Sequence, residues 1–220
     1  MPGSRITAGE RVTLRSVEQG DVPFLQRASA NPEIRYPLRT PLRNQEAFDL
    51  SKEDGTDRLL VCLDGEDAGP GQPDEGDTRR IGCVSVEGLD YRRPELGYWL
   101  VPEVHGQGYG KEGVALVIDY VFRSYDKPAI GASAFDHNDA SRGLLESLGF
   151  TDTDYCSFLP PVGMKSRFRV SDEPEYVGRC ETIYSNPYEE GRRRKFMFVD
   201  GEHRDMVQYG LLREEWLDGQ

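Results

Sequence analysis

The stretch from Glu95 to Ser124, ELGYWLVPEVHGQGYGKEGVALVIDYVFRS, decides how the rest of the chain is read. Glu95 to Val101 reads as a strand. From Lys111 to Ser124 the apolar residues fall at 114, 117, 118, 121 and 122, one face of a helix. Between them lies His105-Gly106-Gln107-Gly108-Tyr109-Gly110. Closely spaced glycines let a backbone turn tightly and approach a ligand. The free amides and dipole of the helix that follows suit phosphate oxygens. Taken alone, such a loop reads equally well as a plain strand-to-helix turn.

Working outward, Arg11 to Val17 and Asp57 to Leu63 read as strands, and Asp21 caps a helix running to about Ala30. A short helix is expected over Asn44 to Lys52. Gly65 to Thr78 is a solvated loop rich in Gly, Pro and acids. Arg80 to Leu89 pairs with the Glu95 strand across a hairpin connection at 90–94. Ala129 to Phe135 is a strand. Asn138 to Leu148 is a helix with Leu144, Leu145 and Leu148 inward and Gly149 ending it. Arg192 to Val199 and Arg204 to Leu212 form a hairpin across Asp200-Gly201. The order is mixed α/β.

Composition narrows the function. The 220 residues suit one domain, 1–220, carrying an insertion. The formal charge is −12, which repels nucleic acid and anionic lipid and favours a cationic partner such as an amine or a basic protein. Arg outnumbers Lys 22 to 5, a halophile-like balance that a GC-rich genome would also produce. Cys62, Cys83, Cys156 and Cys180 are not paired at two-residue spacing, and the three histidines are not spaced as ligands, so no metal site is expected. With no signal peptide and no 18-residue apolar run, the expectation is a cytoplasmic protein, monomer or homodimer, without membrane contact.

Several motifs in order resemble the GNAT superfamily of N-acetyltransferases. The glycine loop is similar to that family's pyrophosphate loop, with Gly108 and Gly110 as its last glycines and His105 where Gln or Arg is usual. Leu96-Gly97-Tyr98-Trp99-Leu100, Glu112, Asn138-Asp139-Ala140-Ser141, Leu148-Gly149-Phe150 and the ending Phe198 to Trp216 resemble the RimJ/RimL-type branch, the ribosomal-protein N-terminal acetyltransferases. The resemblance covers about 11–151 and 189–216. It implies the GNAT fold, a mixed and centrally splayed β-sheet flanked by helices. It also implies acetyl-CoA as co-substrate and direct transfer to a primary amine.

The resemblance assigns roles by position. His105, Gly106, Gln107, Gly108, Tyr109, Gly110 and Lys111 would cradle the diphosphate. Trp99, Leu100 and Val101 would pair with the pantetheine arm, with a bulge near Trp99 freeing an amide for the thioester carbonyl. Asn138 would hold the pantetheine amide. Glu95, ten residues before His105, matches the general base of the family's histone acetyltransferases; the plainer reading is an ion pair with Arg92 or Arg93. Leu145 stands where many relatives carry an acidic tyrosine, and Ser141 would protonate the leaving thiolate instead. Helix capping explains Asn138 and Ser141 equally well. The relatives lack most of about 152–188, read here as an inserted lid or a surface excursion. The expected acceptor is a protein N-terminal α-amine. The alternatives are a small-amine or antibiotic acetyltransferase and a non-catalytic acyl-CoA-binding module.

Overall fold

Leu59 to Cys62 and Ile81 to Val84 are each buried four in a row, as befits strands covered on both faces. They lie in β3 (Thr56–Asp64) and β4 (Thr78–Glu87), the middle of a nine-stranded sheet. The computed structural model describes residues 2–38, 55–74, 76–152 and 192–219. The other strands are β1 (Arg5–Ala8), β2 (Thr13–Ser16), β5 (Glu95–Leu100), β6 (Ala129–Phe135), β7 (Thr151–Asp152), β8 (Arg192–Val199) and β9 (Glu202–Leu212). Their order is β1-β2-β3-β4-β5-β6-β9-β7, with β8 also on β9. Every pairing is antiparallel except β5 with β6.

That parallel pair sets the architecture. It holds only at Glu95/Gly131 and Leu96/Ala132. Beyond them β5 stays with β4 as far as Leu100, and β6 stays with β9 as far as Phe135. The sheet therefore opens into a V at its centre, the mixed splayed sheet expected. Helix α3 (Tyr109–Ser124) joins the two arms, and α4 (Asp139–Ser147) follows β6. Val114, Val117, Ile118 and Val121 of α3 and Leu145 of α4 pack with Leu96, Tyr98 and Leu100. The other face of β5 carries Trp99, which packs with Leu25, Leu60, Cys62, Cys83 and Phe24, the two rings 5.5 Å apart. Here lie α1 (Val22–Ala30) and α2 (Pro32–Leu38). A short α5 (Arg213–Asp218) buries Trp216, whose indole N–H donates to Asp119 at 2.9 Å.

Short polar pieces were not anticipated: β1, α2, β7 and α5 each span seven residues or fewer. The loop after β3 is anchored by Arg15, which is wholly buried. Its guanidinium bonds Asp64 at 2.6 Å and the carbonyls of Gly3, Gly69 and Gly71. The helix expected over Asn44 to Lys52, and all of the 152–188 segment beyond Asp152, lie outside the described residues.

Candidate active site

The glycine turn is built as its composition demands. Gly106 and Gly108 have φ of +73° and +83°, a region that costs any residue with a Cβ. Gly108 is the N-cap of α3, and the first helical bond runs from Glu112 N–H to its carbonyl at 3.2 Å. The amides of Tyr109, Gly110 and Lys111 therefore have no acceptor within the helix and add to its positive end. The turn is held from behind. Arg11 donates to the Gln107 carbonyl at 2.9 Å, lies 5.0 Å from the Tyr109 ring centroid and bonds Glu112 at 3.1 Å. Glu112 in turn accepts the backbone N–H groups of Arg11 and Val12. His105 is tied by its ring to the Leu100 carbonyl at 3.0 Å, and Gln107 donates to the Glu103 carbonyl. A Cβ on Gly110 would lie 3.1 Å from Leu144 and 3.4 Å from Leu100, and one on Gly108 would lie 3.1 Å from Arg11. Both glycines thus have reasons within the protein itself, besides any approach of a ligand.

Below the turn, the two arms of the V place polar groups on opposite faces of the sheet. On the face of α3 and α4, the Tyr98 hydroxyl lies 2.7 Å from Ser141 Oγ. Burial pushes the Tyr98 hydroxyl up to about 12, against the smaller pull of Ser141, so it stays protonated. Asn138 caps α4, its Oδ1 accepting the Ser141 N–H at 3.2 Å. One turn further, the Tyr209 hydroxyl of β9 accepts from Arg142 and donates to Glu146, each at 3.2 Å. Helix α4 is therefore tied to both arms.

The other face carries Glu95, by the alternation that puts it with Trp99. Its side chain is 23% exposed, yet Oε1 is buried without a hydrogen-bond partner. Burial pushes its carboxyl above the ordinary range, and the cations of Arg93 and Arg193 only partly offset this. Arg93 Nε lies 3.8 Å from Oε1. The ion pair considered for Glu95 is thus with Arg93, and it is a loose one.

One expected feature is corrected. The β4–β5 register runs without a shift from Glu87/Glu95 to Gly82/Leu100, so β5 has no bulge at Trp99. The Val101 N–H bonds the Ile81 carbonyl at 2.8 Å. By the alternation of an antiparallel ladder, Trp99 also points its amide at β4, while Tyr98 and Leu100 point theirs into the V. The extra residue lies one strand away, in β4, where the β3–β4 register shifts between Val61 and Cys62.

The sequence reading gave Tyr98 and Gly131 no role at the site, and named Arg93 only beside Arg92 as an ion-pair partner of Glu95. Tyr98 was legible in principle, because strand alternation sets it on the helix-covered face with Leu96 and Leu100. Arg93 and Gly131 gain meaning only from strand pairing. Cys62 and Cys83 are buried thiols, neither of them in a disulfide. Burial, with nearby Asp64, pushes the Cys62 thiol up to about 12, so it is no thiolate nucleophile.

A splayed sheet with a glycine turn at its mouth offers backbone amides to an anionic ligand. The chain belongs to the acetyltransferase (GNAT) domain family, whose model matches residues 11–151. This family uses acetyl-CoA, and the free amides at the start of α3 fit its diphosphate. Among relatives, a Bacillus subtilis protein named "Putative ribosomal N-acetyltransferase YdaF" is 26% identical over 137 residues, 61% of this chain and 55% of that protein. The N-acetyltransferase p20 of Bacillus licheniformis, whose role is uncharacterized, is 30% identical over 64% of this chain and 79% of its own. The prophage-derived YokL of B. subtilis, also uncharacterized, is 23% identical over 94% and 93%. That match is long enough to take in 152–188. The chain spans about half the length of the first curated relatives it matches, 55% and 41%. Among solved structures, Vibrio cholerae spermidine N-acetyltransferase in complex with CoA and spermine superposes with a TM-score of 0.67. At 18% identity over 95% of this chain and 99% of that one, the likeness shows the fold.

Proposed function

We propose that the protein is an acetyl-CoA-dependent N-acetyltransferase that acetylates a primary amine by direct attack. One observation carries this reading: Glu95 stands at the closed end of the V on one face, and the Tyr98–Ser141 hydroxyl pair stands on the other. The amine would approach from the α1–α2 side. Glu95 takes its proton, directly or through one water. The amides of Tyr98 and Leu100 offer N–H groups to the carbonyl oxygen as it gains charge. The thiolate leaves on the α4 side. The Tyr98 hydroxyl lies within reach of both Ser141 Oγ and the Ser141 carbonyl at 3.3 Å; with Tyr98 donating to Oγ, the Ser141 hydrogen is left to hydrogen-bond the departing sulfur.

The acceptor we favour is a protein N-terminal α-amine. Such an amine has a pKa near ~8, against ~10.4 for lysine, so a carboxylate base deprotonates it more readily. The net charge of −12 would attract a basic protein. A small cationic amine fits the same charge and is the second reading. The test is release of CoA thiol with a panel of N-terminal peptides, the same peptides blocked at the α-amine, and small polyamines. Free α-amine peptides should be turned over fastest. Turnover of polyamines alone would move the acceptor to the second reading. A protein that binds acetyl-CoA but turns over no amine would be a binding module.

A further inference from the structure

Where the two arms of the V last touch, Glu95 of β5 is paired with Gly131 of β6. The pairing alone does not require glycine, since Gly131 is not among the residues with positive φ. The space beside it does. A Cβ built on Gly131 would lie 2.1 Å from Glu95 Oε1, 2.5 Å from its Cδ and 2.8 Å from Arg93 Nε. Real Cβ atoms do not approach so closely, so the carboxylate occupies the place a side chain here would take. Arg93 closes the other side. It is held there by donating from Nη2 to the Tyr209 carbonyl at 2.7 Å. We propose that Gly131 and Arg93 form a notch that seats the Glu95 carboxylate for catalysis, both acting as positioning residues. This rests on the reading of Glu95 as the general base.

The notch explains an otherwise costly arrangement. A buried carboxylate oxygen without a hydrogen bond destabilises a fold. Oε1 is in that state, while the side chain as a whole keeps some exposure. Besides Arg93, the charged groups acting on the carboxylate among the described residues are Arg193 on β8 and Glu87 on β4. The notch therefore fixes where the carboxylate stands, and Arg93 tempers how firmly it holds a proton.

The test is a cycle of Glu95→Gln, Gly131→Ala and the double variant. Acetyl-CoA affinity is measured by calorimetry and folding by thermal melting, to separate chemistry from collapse. Glu95→Gln should lower kcat by about 10²–10⁴-fold. Gly131→Ala should lower kcat by about tenfold or more, since displacing a reacting group by about 1 Å costs as much as 10²-fold, while acetyl-CoA affinity holds. In the Glu95→Gln background the alanine should add nothing. A Gly131→Ala enzyme as fast as wild type overturns the notch, as do independent, multiplying effects in the double variant. If Glu95→Gln itself keeps full activity, the base assignment falls first and the notch with it. A second readout does not depend on Gly131→Ala folding. Arg93→Gln should move the acid limb of the kcat/KM profile to higher pH, because a neighbouring cation is lost, and Arg93→Lys should restore it. An unmoved limb in Arg93→Gln removes Arg93 from the proposal.

Discussion

Glu95 carries its carboxylate at a cost to the fold. Its folded pKa is raised, mainly by burial. The protonated form is therefore the comfortable one. Its contribution to stability is present below the ordinary glutamate pKa of about 4.3 and is lost as the pH rises through the raised folded value. At neutral pH the carboxylate is a net cost. Glu95→Gln should thus melt higher than wild type at pH 7, by about 2–4 °C if the relief is ~1 kcal/mol. The gap should close as the pH falls below about 4. A Gln variant that melts lower at pH 7 would mean that Arg93 and Arg193 hold the carboxylate firmly, as in a structural ion pair. Tyr98 poses no such question, since a hydroxyl pushed up to about 12 does not titrate in the working range.

Among the elements, the N-terminus of α3 depends on a residue inside its own first turn. Burial works against the Glu112 carboxylate. The backbone N–H groups of Arg11 and Val12, with the Arg11 guanidinium, outweigh it and hold the pKa below the usual carboxylate range. A lowered pKa means stability that is present above the unfolded value and lost as the pH falls through the folded one. Glu112→Gln should therefore lower the melting temperature at pH 7 by a few degrees, for roughly 1 kcal/mol. The difference should disappear in acid. Equal melting temperatures at pH 7 would show that the clamp on the glycine turn is idle.

The long elements were legible because their signals are strong. The apolar positions of α3 and the Asp200-Gly201 turn between β8 and β9 lie where the sequence places them, and Asp200 and Gly201 both have positive φ. Short elements were not legible: β1 and α5 also lean on partners distant in sequence, the Pro70 carbonyl that accepts the Arg5 N–H for the first and Asp119 for the second. The same holds at the site. Glu95 and Ser141 stand out by position in a motif, whereas the Gly131 notch exists only once β5 and β6 are paired. The amide expected at Trp99 was misplaced because register, not composition, decides which way a strand amide points.

Across the whole molecule, 39 acidic against 27 basic side chains leave a self-repelling surface. If this balance is an adaptation to salt, the melting temperature should climb steadily between about 0.1 M and several molar KCl, continuing after simple screening is complete near ~1 M. A flat response beyond that point would leave the arginine excess to codon usage. The central claim is that one sheet, opened at β5 and β6, lets an amine enter on one face while a thiolate leaves on the other, with no acyl-enzyme between. The most direct measurement mixes the protein with acetyl-CoA alone, then adds a free N-terminal peptide, following CoA thiol and the intact mass of the chain. The account predicts no thiol and no acetylated chain until the amine arrives, then thiol release that rises with amine and saturates. A burst of thiol with acetyl on the protein before any amine is added would contradict it.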